Sequence, residues 1–187
     1  MRGAVIIVDM LNDTYAKEKV PAALSAIVPS VRDFLKRCRA ASVPVIFACD
    51  SFLEGDFIFK GRMQPNAIRG TAGAQVTGLI EPEPSDIMLP KRRFSAFFKT
   101  DLDQTLRTMG VDTVAIGGIN THFCVIASAI DAVCHDFRTV ILEDMSAAYS
   151  REIHTHFIDA YRNSALYPIF SVATGDRFLD MLQHGQA

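Results

Sequence analysis

Short unbroken apolar runs alternate along this chain with stretches whose apolar residues recur every three or four positions. The runs occupy residues 5–8, 45–49, 86–89, 113–116, 139–142 and 167–172. They lack an in-and-out alternation, which predicts parallel strands covered on both faces. Between them, Val31, Phe34, Leu35 and Cys38 repeat at helical spacing behind Pro29, a residue suited to a first helical turn. Leu102, Leu106 and Met109 follow a Thr100-Asp101 cap signal. Residues 125–133 are apolar nearly all round and predict a buried helix, and residues 152–163 and 176–182 predict two more. Strand, helix and strand in repetition give an α/β fold with right-handed crossovers. Residues 51–85 break the rhythm. They hold three Pro and five Gly, too long and too broken for a plain connection, and such loops usually carry function.

Composition narrows the picture. The 187 residues suffice for one domain with a sizeable core, and neither a repeat nor a linker divides them, so residues 1–187 are read as a single domain. The apolar share is 49% and the charged share 21%, an ordinary globular balance. A net charge of −2 calls for neither nucleic acid nor an anionic membrane as partner. No apolar run approaches a bilayer span, and the first residues enter a strand without a secretory leader, so a cytoplasmic protein is expected. Cys38, Cys49, Cys124 and Cys134 form no Cys-x-x-Cys pair, and the histidines are not spaced around them as zinc ligands. The default for each is a buried small thiol.

Ligands of open parallel sheets bind at the carboxyl ends of the strands. Asp9 follows the first run, Asp50 the second and Lys91 the third; Gly117-Gly118-Ile119-Asn120-Thr121-His122-Phe123-Cys124 follows the fourth. The topology therefore brings Asp9, Lys91 and Cys124 to one sheet edge. Cys124 falls in the first turn of a helix behind a Gly-Gly loop, where free N–H groups and the helix dipole favour a thiolate. Lys91 would lower the thiol further, Asp9 could take its proton, and the same N–H groups could hold an oxyanion. A nucleophile, a base and a charge stabiliser suit acyl transfer from a small amide, carbamoyl or ester substrate. The three also read as a structural thiol, a strand-end cap and a solvated loop charge, and pattern alone leaves both readings standing.

The motifs resemble those of the isochorismatase-like cysteine hydrolases, which include nicotinamidases, N-carbamoylsarcosine amidases and ureidoacrylate amidohydrolases. The matching text is Val5-Ile6-Ile7-Val8-Asp9-Met10-Leu11-Asn12-Asp13, Arg69-Gly70-Thr71-Ala72-Gly73-Ala74, Pro90-Lys91-Arg92-Arg93-Phe94-Ser95-Ala96-Phe97, Thr100-Asp101-Leu102 and Gly118-Ile119-Asn120-Thr121-His122-Phe123-Cys124-Val125, with Glu143-Asp144 after the fifth strand. The resemblance implies a three-layer α/β/α, Rossmann-like fold around a six-stranded, mainly parallel sheet. It implies an Asp9, Lys91, Cys124 triad, a cis peptide between Ile119 and Asn120, and an oxyanion hole made by the N–H groups of Asn120 and Cys124. Family members that cleave the isochorismate vinyl ether can lack the cysteine, so Cys124 points to C–N hydrolysis. Nicotinamidases of the family carry a metal on Asp-x-His after the second strand and a further His. This chain has Asp50-Ser51-Phe52 and then Asn66, so a metal-free site without cofactor is expected.

The expected function is thus a cysteine amidohydrolase of a small amide, carbamoyl or ureido compound. Its rivals are a nicotinamidase with a rearranged metal site, an isochorismatase-type ether hydrolase, and a catalytically idle α/β binding protein. Phe94, Thr121, Arg92 and Phe52 are the candidates for contacting substrate. Arg92 would take a carboxylate or else be solvated, and Phe52 would cap the pocket or be buried between the subunits of a homo-oligomer. His122, His154 and His156 are read as structural or surface groups, Arg69 as a loop tie, and Gly73 and Gly78 as turn residues.

Overall fold

Six parallel strands form one sheet in a computed structural model that describes residues 1–184. They are β1 (Gly3–Val8), β2 (Val45–Asp50), β3 (Ile87–Lys91), β4 (Thr113–Ile119), β5 (Arg138–Ala147) and β6 (Phe170–Ala173), in the order β3-β2-β1-β4-β5-β6. The helices are α1 (Asn12–Tyr15), α2 (Ala22–Ala26), α3 (Val28–Ala40), α4 (Leu102–Thr108), α5 (Ile126–Cys134), α6 (Arg151–Arg162) and α7 (Gly175–His184).

The unbroken apolar runs are explained by the layers. On β1, Ala4, Ile6 and Val8 pack with Leu102, Leu106, Ala129 and Ile158 of α4, α5 and α6. Val5 and Ile7 point the other way, into Val31, Phe34, Leu35 and Phe178 of α3 and α7. Each such apolar side chain withdrawn from water stabilises the fold by roughly 1.5–3 kcal/mol. Among the described residues, no helix is long and apolar enough to cross a membrane.

Three boundaries differ from those expected. β5 runs on past Leu142 to Ala147, so Glu143 and Asp144 lie inside the strand. Both are held there: Arg162 pairs with Glu143 at 2.6 Å, and the Gly175 N–H donates to Asp144 Oδ1 at 2.9 Å. β6 is shorter than its apolar run, because residues 164–169 turn through the cis Tyr167–Pro168 bond before the strand begins. Gly117-Gly118 belongs to β4 and is not a loop. A Cβ on Gly118, whose φ is +107°, would stand 2.1 Å from the Val8 carbonyl oxygen of β1, so only glycine lets the two strands approach this closely.

Residues 51–85 form short 3₁₀ turns (Phe57–Lys60, Ala72–Ala74, Gly78–Ile80) and fold back over the segment that follows β1. Leu11 bridges Val76, Phe52 bridges Ile68, and the Thr77 N–H donates to the Met10 carbonyl at 2.9 Å. The Asn12 amide donates to the Ala72 carbonyl at 3.0 Å, and Asp13 Oδ2 accepts the Ala67 N–H at 2.6 Å. Gly73 serves close approach, not a turn: its Cβ would lie 2.3 Å from Asp13 Oδ1.

Candidate active site

In the order 3-2-1-4-5-6 the crossovers reverse between β1 and β4, where open α/β sheets bind ligands. Asp9 and Cys124 stand on either side of that point. Asp9 is the first residue beyond β1, with φ +54° and its N–H bonded to the Ala48 carbonyl at 3.0 Å. Lys91 ends β3, in register with Asp50 of β2. β4 ends at Ile119, joined by a cis peptide to Asn120. A π-helical turn, Thr121–Val125, then carries Cys124 into α5.

Lys91 is 1% exposed. Its Nζ donates to Asp9 Oδ2 at 2.8 Å, to Asp50 Oδ1 and to the Arg93 carbonyl at 3.2 Å, and faces Cys124 Sγ at 3.6 Å. The Asp50 N–H donates to Asp9 Oδ1 at 2.8 Å, so both oxygens of Asp9 are fixed. Burial by itself would lower the Lys91 ammonium. Asp9, the Cys124 sulfur and Asp50 outweigh it and hold the group above its ordinary value. Asp50 is pushed up to about 7, by burial first and by Asp9 next, against the pull of Lys91.

The expected lowering of the Cys124 thiol is not what its surroundings produce. Burial, followed by the negative charge of Asp9, pushes the thiol well above its ordinary value, and Lys91 only partly offsets them. Two carboxylates, Asp9 and Asp50, stand beside the sulfur, and the helix opens with a π turn. A hydrogen bond between the sulfur and Asp9 adds to that rise.

A cavity of about 460 Å³ opens onto this cluster, a size typical of small-molecule sites. Asp9, Asp50, Asn120 and Cys124 form its reactive wall. The side-chain oxygen of Asn120 is buried there without a partner among the described residues. Of the expected substrate contacts, Phe94 lines the cavity, its ring 5.3 Å from that of Phe123. The other three do not line it. Thr121 is fully buried, its hydroxyl hydrogen bonded to His154 Nδ1 at 2.8 Å. Arg92 is committed to Asp56, whose carboxyl it holds down at about 2. Phe52 is fully buried against Leu11 and Ala67, edge-on to Phe59 at 5.3 Å. Arg69 ties the loop to Ser51 Oγ at 3.1 Å, as expected. Asp13, Thr14, Lys17 and Tyr149, which the sequence did not single out, also line the cavity. The spacing of Asp13 and Lys17, four apart and directly after Asp9, is the signal that could have found two of them.

Asp9, Asp50 and Cys124 offer ligand atoms within 4.8 Å of one another, a spacing a cation could use. The Lys91 ammonium already bonds both carboxylates and faces the sulfur. A divalent ion would have to displace that buried charge. The aromatic at Phe52 offers no ligand, and the Asn66 amide nitrogen is bonded to the Gln64 carbonyl at 2.8 Å. These residues do not fit a divalent metal.

Residues 3–172 match the family described as Isochorismatase domain. The chain is 33% identical over 164 residues to a probable inactive nicotinamidase of Arabidopsis thaliana, covering 81% of this chain and 84% of that one. It is 29% identical to the ureidoacrylate amidohydrolase of Rhizobium rhizogenes, over 75% of this chain and 68% of that one. The solved N-carbamoylsarcosine amidase of Thermoplasma acidophilum superposes with a TM-score of 0.81 at 28% identity, covering 94% of this chain and 98% of that one.

Proposed function

This chain belongs to the isochorismatase family, and from that premise we propose that it is a cysteine-dependent amidohydrolase of a small amide, carbamoyl or ureido compound. One observation carries the reading: groups from three separate strand ends meet, with Lys91 Nζ at 2.8 Å from Asp9 and 3.6 Å from Cys124. The names of the ureidoacrylate amidohydrolase and N-carbamoylsarcosine amidase relatives support C–N cleavage.

Asp9 takes the proton from the Cys124 thiol as the sulfur attacks the substrate carbonyl carbon. The oxyanion is received by the backbone N–H groups of Asn120 and Cys124, with Lys91 balancing the charge. Collapse breaks the C–N bond, and the leaving nitrogen collects the proton from Asp9. Water then attacks the thioester carbon and gives a proton to Asp9. The second intermediate collapses with cleavage of the C–S bond, the acid departs, and that proton returns to the sulfur. Because burial and Asp9 raise the thiol, proton transfer to Asp9 accompanies the attack.

Incubation with a panel of small amides should give ammonia together with a Cys124-bound acyl adduct seen by mass spectrometry, and Cys124→Ala should abolish both. Absence of adduct and ammonia across the panel would favour the idle reading that the Arabidopsis relative's name suggests. The metal-dependent nicotinamidase reading is disfavoured by Phe52 and Asn66, and activity should survive dialysis against a chelator. The proposal also takes the protein to act in the cytoplasm as an oligomer. Its four unpaired cysteines support the first, and the exposed Phe94, Phe98 and Phe123 support the second.

A further inference from the structure

We propose that His154 is a positioning residue for the turn that leads into Cys124. Its imidazole holds the Thr121 hydroxyl, and through it the peptide groups between Asn120 and Cys124, so that acyl transfer to the sulfur depends on a side chain outside the cavity. The inference rests on the reading of Cys124 as the nucleophile and of the Asn120 and Cys124 N–H groups as the oxyanion hole.

The turn has few other side-chain restraints. Asn120, Thr121 and His122 bring three polar side chains to it. The Asn120 side-chain oxygen and His122 Nδ1 are both buried without a partner among the described residues. Thr121 is the one that is anchored: its hydroxyl, fully buried, lies 2.8 Å from His154 Nδ1. The Asn120 carbonyl accepts the Phe123 N–H at 3.0 Å and the Val125 N–H at 3.3 Å, so the peptide joining Asn120 to Thr121 is the root of the turn. Fixing the Thr121 side chain at one end of that peptide sets the direction of the neighbouring N–H groups. An oxyanion hole stabilises charge only when its donors are aimed in advance.

The anchor is itself well seated. His154 lies one turn into α6, its N–H donating to the Ser150 carbonyl at 3.1 Å. Ile158, four residues further on and so on the same face, is buried in the core. The His122 ring meets Phe157 of the same helix with centroids 5.8 Å apart, so α6 clasps the turn at two points. His156, by contrast, is exposed. Satisfying the polar groups gives the bond a direction. The Thr121 hydroxyl has no other partner among the described residues, so its hydrogen goes to His154 Nδ1, and the ring carries its own proton on Nε2. Burial lowers the imidazole from its ordinary value, with Arg151 and against Glu143 of β5 and Asp159, which favours the form whose Nδ1 accepts.

The test compares two reactions of one sulfur. p-Nitrophenyl acetate acetylates Cys124 through a tetrahedral oxyanion: the S–C bond forms, the C–O bond breaks, and p-nitrophenolate leaves with the electron pair. Iodoacetamide alkylates the same sulfur by displacing iodide from carbon, with no oxyanion to hold. Followed by mass spectrometry, His154→Leu should slow acetylation of Cys124 about tenfold while alkylation stays within about twofold of the wild type. His154→Asn, whose side-chain oxygen can replace Nδ1 as acceptor, should keep acetylation within about twofold. Thr121→Val should reproduce the loss, and the double variant with His154→Leu should be no slower than either single one, as for two residues acting through one bond. Equal losses in both reactions, no loss in either, or His154→Asn as slow as His154→Leu would overturn the positioning role and leave the reading of Cys124 standing. A wild-type Cys124 that is alkylated but never acetylated would overturn that reading, and the positioning role with it.

Discussion

At the scale of single residues, the least replaceable contact is the buried ammonium of Lys91 between two carboxylates. Lys91→Met leaves Asp9 and Asp50 facing one another out of water, and urea unfolding should show a loss of roughly 3–5 kcal/mol. Adding Asp50→Asn should restore part of that stability without restoring turnover. The raised thiol gives a second expectation. Iodoacetamide labelling of Cys124 should lack the acid plateau of a thiolate paired with a cation, and should climb with pH. Asp50→Asn removes one repelling carboxylate and should speed labelling at neutral pH; a rate unchanged by that substitution would refute the charge argument. Asp9, Lys91 and Cys124 were legible because each stands at a strand's carboxyl end. The raised Cys124 thiol was not, because its first cause, burial of the sulfur, leaves no mark in the local sequence. Arg92 misled for a similar reason: its partner, Asp56, lies in a loop without periodicity to predict the encounter.

Among the elements, the end of β4 has the least tolerance. Gly118→Ala would drive a Cβ against Val8 O at 2.1 Å and Val8 N at 2.5 Å while adopting φ +107°. A loss of about 2–4 kcal/mol in denaturant unfolding is expected. Because Val8 directly precedes Asp9, separating these strands also moves Asp9 away from the thiol. Surviving folded enzyme should therefore show a lowered kcat; full activity would mean the strand ends shift independently. The helices of the core were readable in advance, since stripes such as Val31, Phe34, Leu35 and Cys38 are all buried. Strand ends were not. β5 carries Glu143 and Asp144 inside it, where Arg162 and the Gly175 N–H, remote in sequence, pair with them.

For the whole molecule, the raised Asp50 carboxyl ties stability to pH. It holds its proton up to about 7 in the fold, whereas the unfolded chain releases it in the ordinary carboxylate range. The folded form binds the extra proton between those limits, so this contribution is complete in acid and is lost as pH rises through about 7. The melting temperature of the wild type should fall more between about pH 5 and about pH 8 than that of Asp50→Asn, and parallel curves would rule the linkage out. The sheet's class was evident from the apolar runs. Its order was not, because nothing local in the sequence states that β1 lies between β2 and β4.

That order has a consequence for the making of the protein. Lys91 is 82 positions from Asp9 and 33 from Cys124, so no contiguous stretch holds the chemistry. A nascent chain with its first helices formed is inert until β3 and β4 have docked on opposite sides of β1's neighbourhood. Recovery of catalysis after dilution from denaturant is thus a clock for sheet closure, and it should never run ahead of the helical signal.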